Sequence, residues 1–214
     1  MSANVRPAPS DGRTARSQRT HAAIVDAHVA LLQSGNLRPT GEQVAARAGT
    51  SVRSLWIHFP EQEALLEATA EAVLARQDRA FRPVDPSLGL PERVDAFCQQ
   101  RAAMLEAIAP FARASALREP FSPALRDYRR RHIQRVLDEV RALFRPELSL
   151  VPEHARSDLV CAIAVATTWG SWATLRDDLG LDRARAGAAM ALGVSSLLSA
   201  IDPTTPEKKP KEQQ

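Results

Sequence analysis

Proline placement constrains this chain more than any other feature. Inside the chain it occurs at Pro39, Pro60, Pro83, Pro86, Pro91, Pro110, Pro120, Pro123, Pro146 and Pro152. A proline in a helix interior costs about 3 kcal/mol through a missing hydrogen bond and a ring clash, so each cluster marks a helix end. The stretches between clusters are rich in Ala, Leu, Arg, Glu and Gln, all good helix formers. No stretch alternates apolar and polar residues at period two for long, and glycines and aromatics are few. These features argue against strands joined by tight turns. The reading is an all-α chain of about nine helices.

Apolar spacing places the helices. The first spans residues 16–34, with Ile24, Ala27, His28, Leu31 and Leu32 at intervals of three and four, and Gly35 stops it. The second starts at Thr40, where Thr40 and Gln43 fit a capping box, and turns Val44, Ala45 and Ala48 inward. The third starts at Ser51 or Thr50 and turns Leu55 and Phe59 inward. The fourth follows Pro60 with Leu65, Leu66, Thr69, Val73 and Leu74. Later helices are expected over 93–109, 111–118, 123–144, 153–179 and 181–201. Residues 1–15 read as a disordered basic arm, 16–60 as a compact helical module, 61–202 as a second helical body and 203–214 as a disordered tail.

Charge narrows the function classes. The net charge is only +3, so a contact with nucleic acid must come from a local patch. Residues 1–78 hold eight arginines and eight acids, yet residues 1–22 hold four arginines against Asp11. The arm therefore carries charge that the module lacks, and it is a candidate for reaching into a DNA minor groove. The first residues show no apolar run of the signal-peptide kind, and 160–173 is too short and too polar to span a bilayer. A soluble, cytoplasmic protein with no membrane association is expected. Cys98 and Cys161 read as two buried thiols, and no zinc spacing occurs, so no metal and no cofactor are expected. No nucleophile elbow, phosphate loop, metalloprotease motif or paired carboxylates are present, and no catalytic residue is assigned: the chain does not read as an enzyme.

The informative segment lies between Thr40 and Phe59. Two short helices joined by Ala48-Gly49-Thr50 must cross steeply, as in a helix-turn-helix. In that arrangement the second helix enters the major groove while the first braces on the backbone. Ser51, Arg53, Ser54 and His58 can point outward, and Leu55 and Phe59 hold the helix down. An arginine there can bond a guanine edge with two hydrogen bonds.

Residues 23–66, AIVDAHVALLQSGNLRPTGEQVAARAGTSVRSLWIHFPEQEALL, resemble the DNA-binding region of the TetR family of transcriptional regulators. Thr40, the run 44–49, Ser51, Leu55, His58, Phe59 and 63–66 carry the resemblance. It implies phosphate contact by Thr40 and His58, and base or phosphate contact by Ser51, Arg53 and Ser54. Trp56 stands where the family usually has a phosphate-binding tyrosine, and Gln62 where it usually has a lysine. The resemblance also implies a homodimer built from residues 153–201, which binds double-stranded DNA at a near-palindromic operator. It implies a body that holds a small-molecule inducer, with Phe97, Met104, Phe111, Phe121, Tyr128, Trp169 and Trp172 as candidate lining residues. The expected function is a repressor released from its operator by that ligand. The alternative is a helical ligand-binding or scaffold protein whose DNA module is impaired, since Trp56, Gln62 and the neutral module all reduce the attraction to phosphate.

Overall fold

A computed structural model describes residues 9–200. The expected tail and the first eight residues of the expected arm lie outside the described residues. The described residues are all-α: ten α-helices, one 3-10 turn, one π turn and no strand. The helices are α1 (Pro9–Gln33), α2 (Gly41–Arg47), α3 (Val52–His58), α4 (Gln62–Ala80), α5 (Leu90–Ala116), α6 (Pro123–Leu143), α7 (Arg145–Leu148), α8 (Glu153–Ala166), α9 (Trp169–Ala173) and α10 (Arg183–Ser199). The π turn, Thr174–Asp178, continues α9.

Three helices depart from expectation, each for an identifiable reason. Helix α1 begins at Pro9, so residues 9–15 form its opening turns instead of an irregular arm. Proline suits a first helical position, where its missing N–H would have no partner anyway. Helix α5 runs straight through Pro110, where two helices were expected. Ile108, Ala109, Phe111 and Ala114 are buried on both sides of the proline. Burying two such large side chains contributes about 3–6 kcal/mol, enough to offset the missing bond. The expected helix 153–179 breaks instead at Thr167 and Thr168, and its two parts meet at 42°. The Thr167 hydroxyl donates back to the carbonyls of Ile163 and Ala164 at 3.2 and 3.1 Å, and the Thr168 hydroxyl to Val165 at 2.9 Å. Such back-bonding offers the backbone an alternative to the helix ladder. Among the described residues no single helix is long and apolar enough to cross a membrane.

The chain divides into two compact units. The first comprises the described residues up to Phe81 together with Ala107–Arg130. In it α1 packs on α2, α3 and α4. Ile24, Val25, Ala27, Val44, Ala45, Leu55, Phe59 and Leu65 form its core. Buried among them, the Thr69 hydroxyl donates to the Leu65 carbonyl at 2.7 Å and lies 2.8 Å from His28 Nδ1. Because the Thr69 proton is already donated, Nδ1 is the donor, which sets the tautomer of His28. Burial, reinforced by the Arg118 charge, pushes His28 down to about 4. Glu63 accepts from the Ser122 hydroxyl at 2.7 Å and the Ala124 N–H at 3.1 Å, tying α4 to the start of α6.

The second unit comprises Arg82–Glu106 and the described residues from Arg131 onward. Phe97 meets Phe144 edge-on at 5.5 Å. Arg93 is buried there, donating to the Leu88 and Leu143 carbonyls at 3.0 and 2.8 Å and pairing with Glu147. Arg101, 1% exposed, donates to the Thr167 carbonyl at 2.9 Å, so the helix break is stapled by a buried guanidinium. His132 is buried too, and burial with the charges of Arg101 and Arg135 pushes it down to about 4. Helices α8 and α10 pack together, and each buries one face, Val160, Ile163 and Ala164 on α8 and Ala186, Met190, Val194 and Leu198 on α10. Of the two thiols, Cys98 is buried but Cys161 is exposed, contrary to expectation, because it faces outward one position beyond the buried Val160. Burial pushes the Cys98 thiol up to about 12, which makes it unreactive.

These histidines set an acid limit. Each takes up a proton more readily in the unfolded chain (ordinary value 6.5) than in the folded one (about 4). The contribution is fully present above pH 6.5 and is lost as pH falls toward 4, up to about 3 kcal/mol per histidine. Urea unfolding at pH 7.0 and 4.5 should show this loss. His28→Gln should shrink it by roughly half, measured as the pH slope of unfolding free energy.

Candidate nucleic-acid interface

The expected DNA-contacting residues all lie in the first unit, on or beside α2 and α3. Thr40 caps α2 in extended backbone, with its hydroxyl accepting from the Gln43 N–H at 3.3 Å. The Gln43 side chain accepts from the Thr40 N–H at 2.9 Å, completing the box. Asn36 also donates to that Gln43 oxygen, at 3.0 Å. The Glu42 carboxylate accepts from its own backbone N–H and from the Thr40 hydroxyl, which together hold that carboxyl below its ordinary value. The turn works because Gly49 sits at φ +66°, a left-handed geometry that costs a residue with a Cβ about 1–2 kcal/mol. It lets the Thr50 N–H reach the Ala45 carbonyl at 3.0 Å and reverses the chain in three residues.

Ser51 caps α3, its hydroxyl accepting from the Ser54 N–H at 3.1 Å. Leu55 and Phe59 are buried and seat the helix. Arg53 is exposed, while Ser54 and His58 are half-buried. Ser54 and His58 line a concavity of about 840 Å³ whose other wall is α1. That wall carries Arg13, Arg16, Ser17, Arg19 and Thr20. Arg13, expected in a disordered arm, thus stands on the same helix as Arg16 and Arg19, and all three line the same hollow as the turn and α3. Sequence reading assigned no role to Ser17 and Thr20. The signal that could have found them is the i, i+3 spacing of Arg13, Arg16 and Arg19, repeated one position on by Ser17 and Thr20. His21 completes this edge, its ring 4.5 Å from Phe59 and 6.2 Å from His58.

Most acids of the module lie away from this hollow, although Asp11 is in the opening turns of α1 and Glu42 in the first turn of α2. Glu61, Glu63, Glu67, Glu71 and Asp78 all fall at or along α4, and Asp26 pairs with Arg76 at 2.6 Å. A module neutral by composition therefore has one basic wall. Glu61 caps α4 without a side-chain bond, and Gln62 begins the helix.

Trp56 is 38% exposed, and its six-membered ring lies over Gly41 at the start of α2. A Cβ at Gly41 would come within 2.8 Å of Trp56 Cζ2. The two residues at the tips of the motif therefore fit each other, and part of the tryptophan is taken up by packing. The candidate ligand-lining residues split between units. Phe111 and Tyr128 meet edge-on at 5.2 Å in the first, where Phe121 is 87% exposed and lines nothing. Phe97, Met104, Trp169 and Trp172 are in the second. Phe97 and Trp172 are fully buried, and Trp172 donates to Glu106 at 3.1 Å. Met104 and Trp169 are half-buried.

The Gly41–Trp56 fit predicts a coupling. Gly41→Ala should lower stability by about 1 kcal/mol in the native background, because the ring must move. It should raise stability by a similar amount beside Trp56→Ala, where only the helix propensity of alanine counts. A double-mutant cycle in urea measures both.

A solved structure shares this fold. A transcriptional regulator from Rhodococcus sp. Rha1 superposes with a TM-score of 0.57 at 17% identity, over 86% of this chain and 96% of that one. A putative transcriptional regulator from Streptomyces coelicolor A3(2) gives a TM-score of 0.49 at 20% identity, over 87% of this chain and 98% of that one. No family model matches the chain, and no curated protein matches it.

Proposed function

We propose that this protein is a sequence-specific, double-strand DNA-binding transcriptional regulator of the TetR type. The observation that carries the reading is the arginine-lined concavity between α1 and the turn leading into α3. It sits beside an outward helix face seated by Leu55 and Phe59. A convex, seated helix flanked by cations suits a major groove flanked by phosphates. Thr40, Ser51, Ser54, Trp56 and His58 are assigned to the backbone and groove rim, and Arg53 to a base edge. The arginines of α1 are assigned to the phosphates alongside. The fold shared with the Rhodococcus regulator supports the reading.

One α3 reads few base pairs, so the protein acts as a dimer. Support comes from α8 and α10, each of which buries one face and leaves a second apolar one outside. Cys161 and Val165 are exposed one turn apart on α8, as are Ala188 and Leu192 on α10. Val165 is 62% exposed and Leu192 70%. A two-fold pairing of these faces suits a near-palindrome with half-sites about 34–36 Å apart. The function is repression, relieved by a small molecule that binds the body more tightly in the DNA-incompetent state than in the competent one. Met104 and Trp169 keep part of their surface open for such a ligand, whereas Phe97 and Trp172 are closed off by their own packing. No catalytic step is assigned.

Selection from a random duplex pool by the purified full chain tests the reading. A near-palindromic consensus is the expected result, and no enrichment would favour the scaffold alternative. Replacing Arg13, Arg16 and Arg19 by alanine should lower the slope of log affinity against log salt by about 0.9 for each phosphate that is no longer neutralised, with the consensus unchanged. Val165→Glu with Leu192→Glu should convert the dimer to single chains in sedimentation and weaken operator binding at least tenfold.

A further inference from the structure

Within α1–α4, the large apolar side chains left exposed among the described residues are Trp56 and Ile57, and both are on α3. Trp56 is accounted for by its packing on Gly41. Ile57 is not: it is 70% exposed. Its place on the helix is informative. Two positions on from the fully buried Leu55 is about 200° around an α-helix, so Ile57 projects from the side opposite the core. It marks the crest of α3. Arg53 precedes it by four residues, is also exposed, and shares its face. The flank of that face, at Ser54 and His58, opens into the hollow lined by Arg13, Arg16 and Arg19.

An apolar crest within a cationic surround fits one kind of surface closely. The major groove of DNA presents polar edges on every base and a single apolar group, the C5-methyl of thymine. We propose that Ile57 is a specificity-determining residue that packs on a thymine methyl beside the base pair contacted by Arg53. This rests on the reading of α3 as the groove-facing helix. Along the axis the two side chains are about 6 Å apart, at 1.5 Å of rise per residue. That is one or two steps of about 3.4 Å along a DNA strand. Each half-site then contains a guanine with a thymine one or two positions away. The same contact selects against RNA, whose A-form major groove is too narrow for a helix and whose uracil lacks the methyl.

The test is a methyl scan. The consensus duplex selected by the full-length protein is remade with each thymine replaced in turn by deoxyuridine, which deletes the methyl and keeps the pairing. Affinity is read by fluorescence anisotropy for the native protein, Ile57→Val and Ile57→Ala. One position per half-site should weaken native binding roughly three- to tenfold, a methyl-sized effect. Ile57→Ala should bind both duplexes equally, with Ile57→Val in between. Melting temperatures of the variants should match the native protein, since Ile57 has no core role. A scan in which no thymine matters overturns the proposal, as does an Ile57→Ala protein that still discriminates. Both outcomes leave the DNA-binding reading intact, because a consensus was selected. Failure to select any sequence overturns both.

Discussion

The structure at the candidate interface depends on how a helix of only seven residues is held. Isolated helices of that length do not persist in water, since nucleation is costly and few bonds offset it. Helix α3 exists because Leu55 and Phe59 drop into a core built by α1, α2 and α4, and because Ser51 caps its start. Burying those two side chains contributes about 3–6 kcal/mol. That anchorage takes up one face and frees the opposite one. Arg53 and Ile57 are outside because Leu55 and Phe59 are inside.

Charge follows the same logic of segregation. By count the N-terminal region is neutral, which weakens any case for DNA based on composition. In three dimensions five of the eight acids sit at or along α4, and three arginines of α1 face the turn and α3. The electrostatics of a binding surface depends on which charges share a wall, and a sum over residues erases that information. Helical order in α1 also changes what its arginines are suited for. Cations spaced along a rigid helix match a row of phosphates, whereas a coil would be needed to thread a minor groove.

In the second unit, buried polar groups govern the shape of the backbone. Arg101 would be costly to bury alone, and it is accommodated by the Thr167 carbonyl, which the helix break has released. The break, the threonine hydroxyls and the guanidinium thus support one another. Arg93 plays a comparable part, joining the Leu88 and Leu143 carbonyls to the Glu147 carboxylate. Arg101 and the two threonines hold the break between α8 and α9, next to the exposed Val165 of the proposed pairing face.

The amino-acid sequence by itself determined the all-α class, the positions of α2, α3 and α4, the capping box at Thr40, the turn at Gly49, and Ile24, Ala27, His28 and Leu32 as buried residues of α1, though not Val25 and Val29. Those features depend on local rules: proline punctuation, side-chain periodicity, a threonine with its glutamine partner, and a glycine free to turn left-handed. Tertiary structure alone decided the rest. Helix α5 survives Pro110 because its neighbours bury the flanking residues, and α8 ends at Thr167 because Arg101 takes the freed carbonyl. The ring of Trp56 rests on Gly41, and Ile57 stands on the crest of α3. Each of these outcomes turns on which distant side chain arrives at a given place, and no property of the local segment encodes that arrival.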